Sequence, residues 1–319
     1  MRRLRDVGEH AWIAGLARRL GARPDRRVLI GPGDDAAAVR SGRAPLLLTV
    51  DALVENVHFR RAWARPAVLG RRSYLTGASD LAAMGGLPRF ALLALEAPPA
   101  MRAVDLDALV AGFTAAARRD GARLVGGNLA AGPHLALTAA LVGEAVGPVV
   151  TRAGARPGDV LHVTGRLGEA GLAVRRFAAG GRGRLPDPPR RVRAGLVLAR
   201  LASAMIDVSD GLIQDLGHLC RASGVRAEID LGRLPVAAAC RRALGRRAAE
   251  FAASAGEDYE LLVAVPPRRL LALRRAAPRL GCRLTPIGRV LAGRPSVRLR
   301  ALDGQLVRVA RGGFDHFRR

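Results

Sequence analysis

The sequence predicts a mixed α/β protein built from two domains. Three observations carry this expectation. At 319 residues the chain exceeds one ordinary domain and fits two. Short apolar runs alternate with stretches of helical period along most of its length. The alternation restarts at "TRAGARPGDVLHVTG", residues 151–165, which places the boundary close to residue 150 and gives segments 1–150 and 151–319.

The elements follow in order. Ile13, Leu16 and Leu20 mark a helix that stops at Gly21. "RVLIG" (27–31) and "PLLLTVDALV" (45–54) read as strands, and Pro66 opens a helix running towards Met84. "FALLALEAP" (90–98) is a strand, and Leu106, Leu109 and Phe113 stripe the helix after it. "RLVGG" (123–127) and "LALTAALVGEA" (135–145) are strands that close the first half. The second half opens with the strand "VLHVTG" (160–165) and the helix "GEAGLAVRRFAAG" (168–180). The Gly- and Pro-rich "GGRGRLPDPPRR" (180–191) has the composition of a mobile loop. "AMIDVSDGLIQDLGHLCRASG" (204–224) reads as strand, acidic turn and helix. After it come the strand "DYELLVAVP", the helix "PRRLLALRRAAPRLG" (267–281), and strands around "RLTPIGRV" and "SVRLRAL".

Composition narrows the function. All 52 basic residues are arginine, and the formal net charge is +25. Arginine stands here on solvated faces where lysine ordinarily would, and the excess suits a protein that handles phosphorylated small molecules. Nucleic acid is a poor partner, because aromatic residues for base stacking make up only 3%. The clusters "RRVR" (190–193) and "RRLLALRR" (268–275) lie in helical or linker surroundings and carry no RNA-binding signature. Cys220, Cys240 and Cys282 form no CxxC pair and read as reduced thiols of a cytoplasmic protein. Neither a secretory signal nor a membrane span is expected.

Several familiar chemistries are excluded by absence of their residues. The six histidines show no HExxH or paired zinc spacing. No GxSxG elbow occurs, and a chain without lysine cannot carry a P-loop lysine. "GPGDDA" matches only the first glycines of a GxGxxG fingerprint. What recurs instead is acid at strand ends: Asp34 and Asp35, Asp51, Asp80, Asp207 and Asp210, Glu257 and Asp258. Carboxylates that converge repel each other unless cations lie between them, and Mg²⁺ with a polyphosphate fills that role.

"GPGDDAAAV", "TVDALVENVHF", "SDLAAMGGLP", "TRAGARPGDVLHVTG", "IDVSDGLIQDLGHL", "AGEDYELL" and "GGFDHF" occur in the order and spacing of the thiamine-monophosphate kinases. The chain resembles that family, part of the aminoimidazole-ribonucleotide synthetase-like ATP-binding superfamily, over essentially its whole length. The resemblance implies a two-domain fold, with an N-terminal domain that forms a β-barrel across a homodimer and a C-terminal α/β sandwich. It implies ATP-dependent phosphorylation of thiamine monophosphate to thiamine diphosphate, by direct transfer with several Mg²⁺ ions. It further implies metal ligands at Asp35, Thr49, Asp51, Asp80, Asp207 and Asp210, with Asp207 and Asp210 central to transfer. ATP contacts fall on Gly127, Ser209 and Arg152, and thiamine contacts on His58, Glu257 and Phe314. Asp34 serves in this reading as a turn partner of Asp35.

Five positions depart from the family's pattern. Asn128 stands where a metal-binding Asp is usual, Val50 and Ala52 replace hydroxyl residues around Asp51, and Gly77 and Ala255 replace a polar residue and a glycine. An amide offers a metal one neutral oxygen and no charge. The competing expectation is therefore a diverged paralogue that binds nucleotide or a related phosphorylated ligand with weak, altered or no kinase activity.

Overall fold

The computed structural model describes residues 28–30, 34–42, 44–301 and 303–307. The helix expected around Ile13–Leu20 and the thiamine contact expected at Phe314 lie outside the described residues. The first half runs β1 (Val28–Ile30), β2 (Ala37–Ser41), β3 (Ala44–Val54), α1 (Pro66–Ala83), β4 (Gly86–Ala97), α2 (Ala103–Arg119), β5 (Arg123–Ala131) and β6 (Ala136–Ala145). Its six strands form one sheet in the order β1-β2-β3-β6-β4-β5. All pairs are antiparallel except β4–β5.

β6 alternates buried and half-buried residues without a break, as a strand with one packed face must. Its buried residues Leu137, Ala139 and Leu141 join the core to which α1 and α2 contribute. Pro66 at the first turn presets the backbone of α1, and the chain leaves the helix through Met84 and a left-handed Gly85. The two helices approach until their backbones touch. A Cβ on Gly70 would lie 1.9 Å from the Leu109 carbonyl oxygen, and one on Gly112 would lie 2.0 Å from that of Ala67. Tyr74 and Phe113 then pack edge to face with centroids 5.5 Å apart.

The other face of this sheet is apolar and open. The rows Leu48–Val142–Phe90 and Val50–Ala140–Leu92 lie across β3, β6 and β4, and Leu48, Val50, Phe90 and Leu92 are exposed.

The second half runs β7 (Val160–Thr164), α3 (Glu169–Ala178), α4 (Val192–Leu198), β8 (Ala204–Val208), α5 (Leu212–Ser223), β9 (Arg226–Asp230), α6 (Ala238–Leu244), α7 (Ala248–Ser254), β10 (Glu260–Val265), α8 (Leu270–Ala276), β11 (Leu284–Leu291), β12 (Ser296–Arg300) and β13 (Leu306–Val307). The strands order as β13-β12-β9-β11-β7-β10-β8. β10 is buried throughout because it faces two cores. Leu261, Val263 and Val265 join the core that contains α1, whereas Leu262 and Ala264 join the core under α5 and α7. Period two thus sews the halves together, with α1 between the sheets. The mixed α/β architecture expected from the sequence is observed; the short elements β9, α6 and α7 were not anticipated.

Residues 181–191 form no regular element, as their composition implies, yet the end of this segment is fastened. Asp187 pairs with Arg71 at 2.9 Å, the Pro186 carbonyl accepts from Arg72, Arg190 pairs with Asp120 at 2.6 Å, and Arg191 Nη2 meets Glu260 at 2.7 Å. Arginine rather than backbone hydrogen bonding holds this strap across the two halves. Among the described residues no helix is long and apolar enough to cross a membrane.

Candidate active site: an acidic cluster beside a polar cavity

The carboxylates of Asp35, Asp80 and Asp207 converge, with one oxygen of each within 4.8 Å of the others. They arrive from the loop before β2, from α1 and from β8. One further strand supplies neighbours on the helix side of the first sheet. Thr49 on β3 donates its hydroxyl to Asp80 Oδ2 at 2.6 Å, and Asp51 follows two residues on, hence on the same face. The Ser79 hydroxyl donates to Asp207 Oδ2 at 2.7 Å. Arg152 pairs through Nη2 with Asp35 Oδ1 at 2.8 Å. The other oxygen, Asp35 Oδ2, is buried and has no hydrogen-bond partner. A buried carboxylate oxygen without a donor is costly unless a cation meets it.

The electrostatics point the same way. Burial, and then the charge of Asp35, pushes Asp207 up to about 8. Asp80 lies well above the usual carboxylate range, through burial and then the charges of Asp207, Asp51 and Asp35. Burial raises Asp51 too, with a Thr76 hydrogen bond pulling the other way. Without cations, burial and mutual repulsion disfavour the charged forms of these acids; a divalent ion with hard oxygen ligands is what would let them ionise together. The residues present therefore fit Mg²⁺.

Asp34 is a partner of the turn. Its carboxylate accepts from the backbone N–H of Asp35 at 3.0 Å and of Arg152 at 3.1 Å, while burial and then Asp35 push it up to about 6.

Beside the cluster lies a cavity of about 330 Å³ lined by Asp51, His58, Asp80, Ser209, Asp210 and Glu257. His58 Nδ1 accepts from the Val54 N–H at 3.0 Å, which leaves Nε2 as the protonated nitrogen of the neutral ring. Ser209 and Glu257 are brought together by two crossing turns. The Glu257 N–H donates to the Ser209 carbonyl at 2.7 Å, and the Tyr259 N–H to that of Val208 at 2.7 Å. Both glycines at the crossing are required. A Cβ on Gly211 would lie 2.6 Å from Ser254 O, and one on Gly256 would lie 2.6 Å from Ser209 O. Glu257 sits at φ 70° and Tyr259 at φ 48°, left-handed conformations that cost L side chains energy.

Asp210 stands apart from the first cluster. Its carboxylate accepts from Gln214 at 2.9 Å and groups with Asp215 and His218. Asp215 is buried and accepts from the Asp210 and Gly211 N–H groups at 3.2 and 3.0 Å, capping the start of α5. Asp258 is likewise a cap, accepting from the Gly168 N–H at 2.8 Å.

The pairing of β5 separates Gly127 from Asn128. Gly127 lies in the row Asp51–Ala139–Leu93, where a Cβ would meet Leu93 O at 1.9 Å. Asn128 lies one residue on, in the row Ala52–Thr138–Ala94, and so on the opposite, open face of the sheet. It is not brought to the acidic cluster within this chain.

Arg72, Thr76 and Ser79, all on α1, were missed from the sequence. Arg72 on α1 is only 2% exposed, and its guanidinium donates to Glu257 and to the Pro186 carbonyl. With Thr76, Ser79 and Asp80 it forms a polar stripe at i, i+4, i+7 and i+8 on one face of α1. That spacing ahead of "SD" was the available signal, hidden among 52 arginines.

Comparisons with known proteins place the chain in a family. The family model for the N-terminal domain of AIR synthase related proteins matches residues 33–145, and that for the C-terminal domain matches 156–300. The thiamine-monophosphate kinase of Mycobacterium tuberculosis is 38% identical over 273 residues, covering 81% of each chain. That of Halobacterium salinarum is 40% identical over 270 residues, covering 84% of this chain and 90% of its own. A solved structure described as AaThiL complexed with AMPPCP and TMP superposes with a TM-score of 0.86 at 30% identity, covering 99% of both chains. Two matched domains and full-length relatives of this identity place the chain among the AIR synthase related proteins, in the thiamine-monophosphate kinase family.

Proposed function

We propose that this protein transfers the γ-phosphoryl group of ATP to thiamine monophosphate, forming thiamine diphosphate and ADP. The observation that carries the reading is the convergence of Asp35, Asp80 and Asp207, with a partnerless buried oxygen, beside a cavity bearing His58 and Glu257. It is supported by the relatives named for this activity and by the AaThiL complex, since AMPPCP is an ATP analogue.

The acceptor is a phosphate oxygen, so no protein nucleophile and no strong base are needed; positioning and charge neutralisation suffice. Bound Mg²⁺ supplies the positive charge that draws phosphate oxygens together. In this reading Asp35, Thr49, Asp51, Asp80, Asp207 and Asp210 hold the metals, and Asp207 and Asp210 lie closest to transfer. Arg152, already fixed by Asp35, offers the rest of its guanidinium fork to the nucleotide, with Ser209 and Gly127 at the same end. His58, Glu257 and Phe314 take the thiamine moiety.

Segments 1–150 and 151–319 are the two domains of this proposal, and the open apolar face of the first sheet pairs with a second copy. Asn128 lies on that face, so its amide oxygen would serve a site completed by the homodimer. Its replacement of Asp removes no charge from the cluster within one chain, which is why an inactive paralogue is not favoured. Three free cysteines and dependence on ATP fit a cytoplasmic enzyme.

The test is direct. Purified protein with ATP, thiamine monophosphate and Mg²⁺ should yield thiamine diphosphate by chromatography, and Asp207→Asn should lower kcat about a thousand-fold. Absence of product at every Mg²⁺ concentration would overturn the proposal.

A further inference from the structure

Arg193 from the arginine-rich stretch 190–193, with Arg200, faces Arg268 and Arg275 from the stretch 268–275 across a cleft of about 830 Å³ that the kinase reading leaves unused. Its walls are α4 with the turn after it and the helical segment 267–279 around α8; Gly85 and Val146–Gly147 close one side. It shares no lining residue with the acidic cavity. Both helical walls repeat one pattern. Arg193, Leu196, Val197 and Arg200 stand at i, i+3, i+4 and i+7 on the first. Arg268, Leu271, Ala272 and Arg275 stand at the same spacing on the second, and Arg279 extends it by a turn. This spacing gathers the four side chains of each wall on one helical face. Seven residues rise about 10 Å along a helix, so each wall has arginine at its ends and aliphatic side chains between.

Two independent features mark this cleft for a ligand. Leu271 is 60% exposed and Val146 50%, an apolar surface left uncovered. Among the described residues none of the five arginines pairs with a carboxylate, and no Asp or Glu lines the cleft. By contrast Arg71, Arg72, Arg152, Arg190 and Arg191 are all paired. Guanidinium groups bind phosphate or carboxylate through a fork of donors, and an aliphatic floor takes an apolar chain or ring. The chain's own segments 1–27 and 308–319 are arginine-rich and carry the wrong charge to fill it.

We propose that the cleft binds a soluble anionic amphiphile, one molecule per chain, with its phosphate or carboxylate on the arginines and its apolar body on Leu196, Val197 and Leu271. A concave cleft suits a single molecule rather than a bilayer.

The probe is n-octyl phosphate, titrated calorimetrically into the protein with Mg²⁺ and AMPPCP saturating the acidic site. Inorganic phosphate and neutral octyl glucoside serve as the half-ligands. One octyl phosphate should bind per chain, about ten-fold or more tighter than either half-ligand. Arg193→Gln with Arg275→Gln, and separately Leu271→Ser, should each weaken it about ten-fold while leaving the kinase rate and melting midpoint unchanged. Equal binding by both variants, or octyl phosphate no tighter than phosphate, overturns the proposal. So does co-sedimentation with phosphatidylglycerol vesicles that needs Arg193 and Arg275 when octyl phosphate does not bind, which would make the cleft a membrane-facing surface.

Discussion

Arg72 shows how much a single buried side chain can govern. Its guanidinium joins α1, the Glu257 turn and the strap at Pro186, and the ion pair with Glu257 is largely withdrawn from water. Removing one partner of such a pair strands the other, a loss of about 3 kcal/mol. Arg72→Met should therefore lower the denaturation midpoint and release Glu257 from its left-handed position, raising KM for thiamine monophosphate about ten-fold with a smaller change in kcat. Steady-state kinetics and urea unfolding of the same variant check this; an unchanged KM would show that Glu257 keeps its place without Arg72. The acids tell a complementary story. Asp35, Asp51, Asp80 and Asp207 were legible because Asp is conspicuous beside apolar runs, although Asp51 proves to lie inside β3 and Asp80 inside α1 rather than at strand ends. Arg72 was not, because neither burial nor a partner 185 residues away can be read from an arginine in an arginine-rich chain.

At the scale of elements, α1 and α2 owe their contact to two glycines rather than to large side chains. Helix propensity alone favours alanine over glycine by about 1 kcal/mol at Gly112. The Cβ, however, would press 2.0 Å from the Ala67 carbonyl oxygen, and both sides of that contact are backbone. The steric term wins, since forcing apart a packed interface costs about 1–3 kcal/mol or more. Gly112→Ala should lower the melting midpoint despite its better propensity, and a rise in thermal denaturation experiments would disprove the backbone contact. Strand pairing is equally decisive. Gly127 and Asn128 are neighbours in sequence, yet pleating sends them to opposite faces. The phrase "GGNLAAGP" could not disclose this, because the strand extends beyond "RLVGG" to Ala131 only through pairing with β4.

Over the whole molecule, the acidic site couples stability to pH and to metal. Asp207 has an ordinary value of 3.8 and is pushed up to about 8 in the fold by burial and then Asp35. Between those values the native state holds a proton that the unfolded state has lost, so metal-free stability falls as pH rises through this window. Scanning fluorimetry in EDTA should show a lower melting temperature at about pH 8 than at about pH 6, and Mg²⁺ should restore more at the higher pH. A metal-free melting temperature that rises over this range would contradict the assigned electrostatics. The open sheet face belongs to the same scale. Val50 and Leu92 lie in one exposed row, so Val50→Arg with Leu92→Arg should turn a dimer into a monomer by light scattering. A wild-type protein that is monomeric throughout the micromolar range would refute pairing through this face.

By itself the sequence determined the mixed α/β plan, the succession of strands and helices through most of the chain, and the candidate acids; their expected place at strand ends holds for Asp207 but not for Asp51, which lies inside β3, or Asp80, which lies inside α1. These follow from local rules: hydrophobic period, turn residues, and the contrast of a carboxylate with the apolar run beside it. Only the tertiary structure decided which acids meet. Asp35, Asp80 and Asp207 come from three distant elements, Asp210 turns to a second group, and Asn128 faces away across the sheet. Spacing along a chain sets which face a residue shares with its neighbours, but burial, pairing register and close backbone approach at glycine set which faces touch.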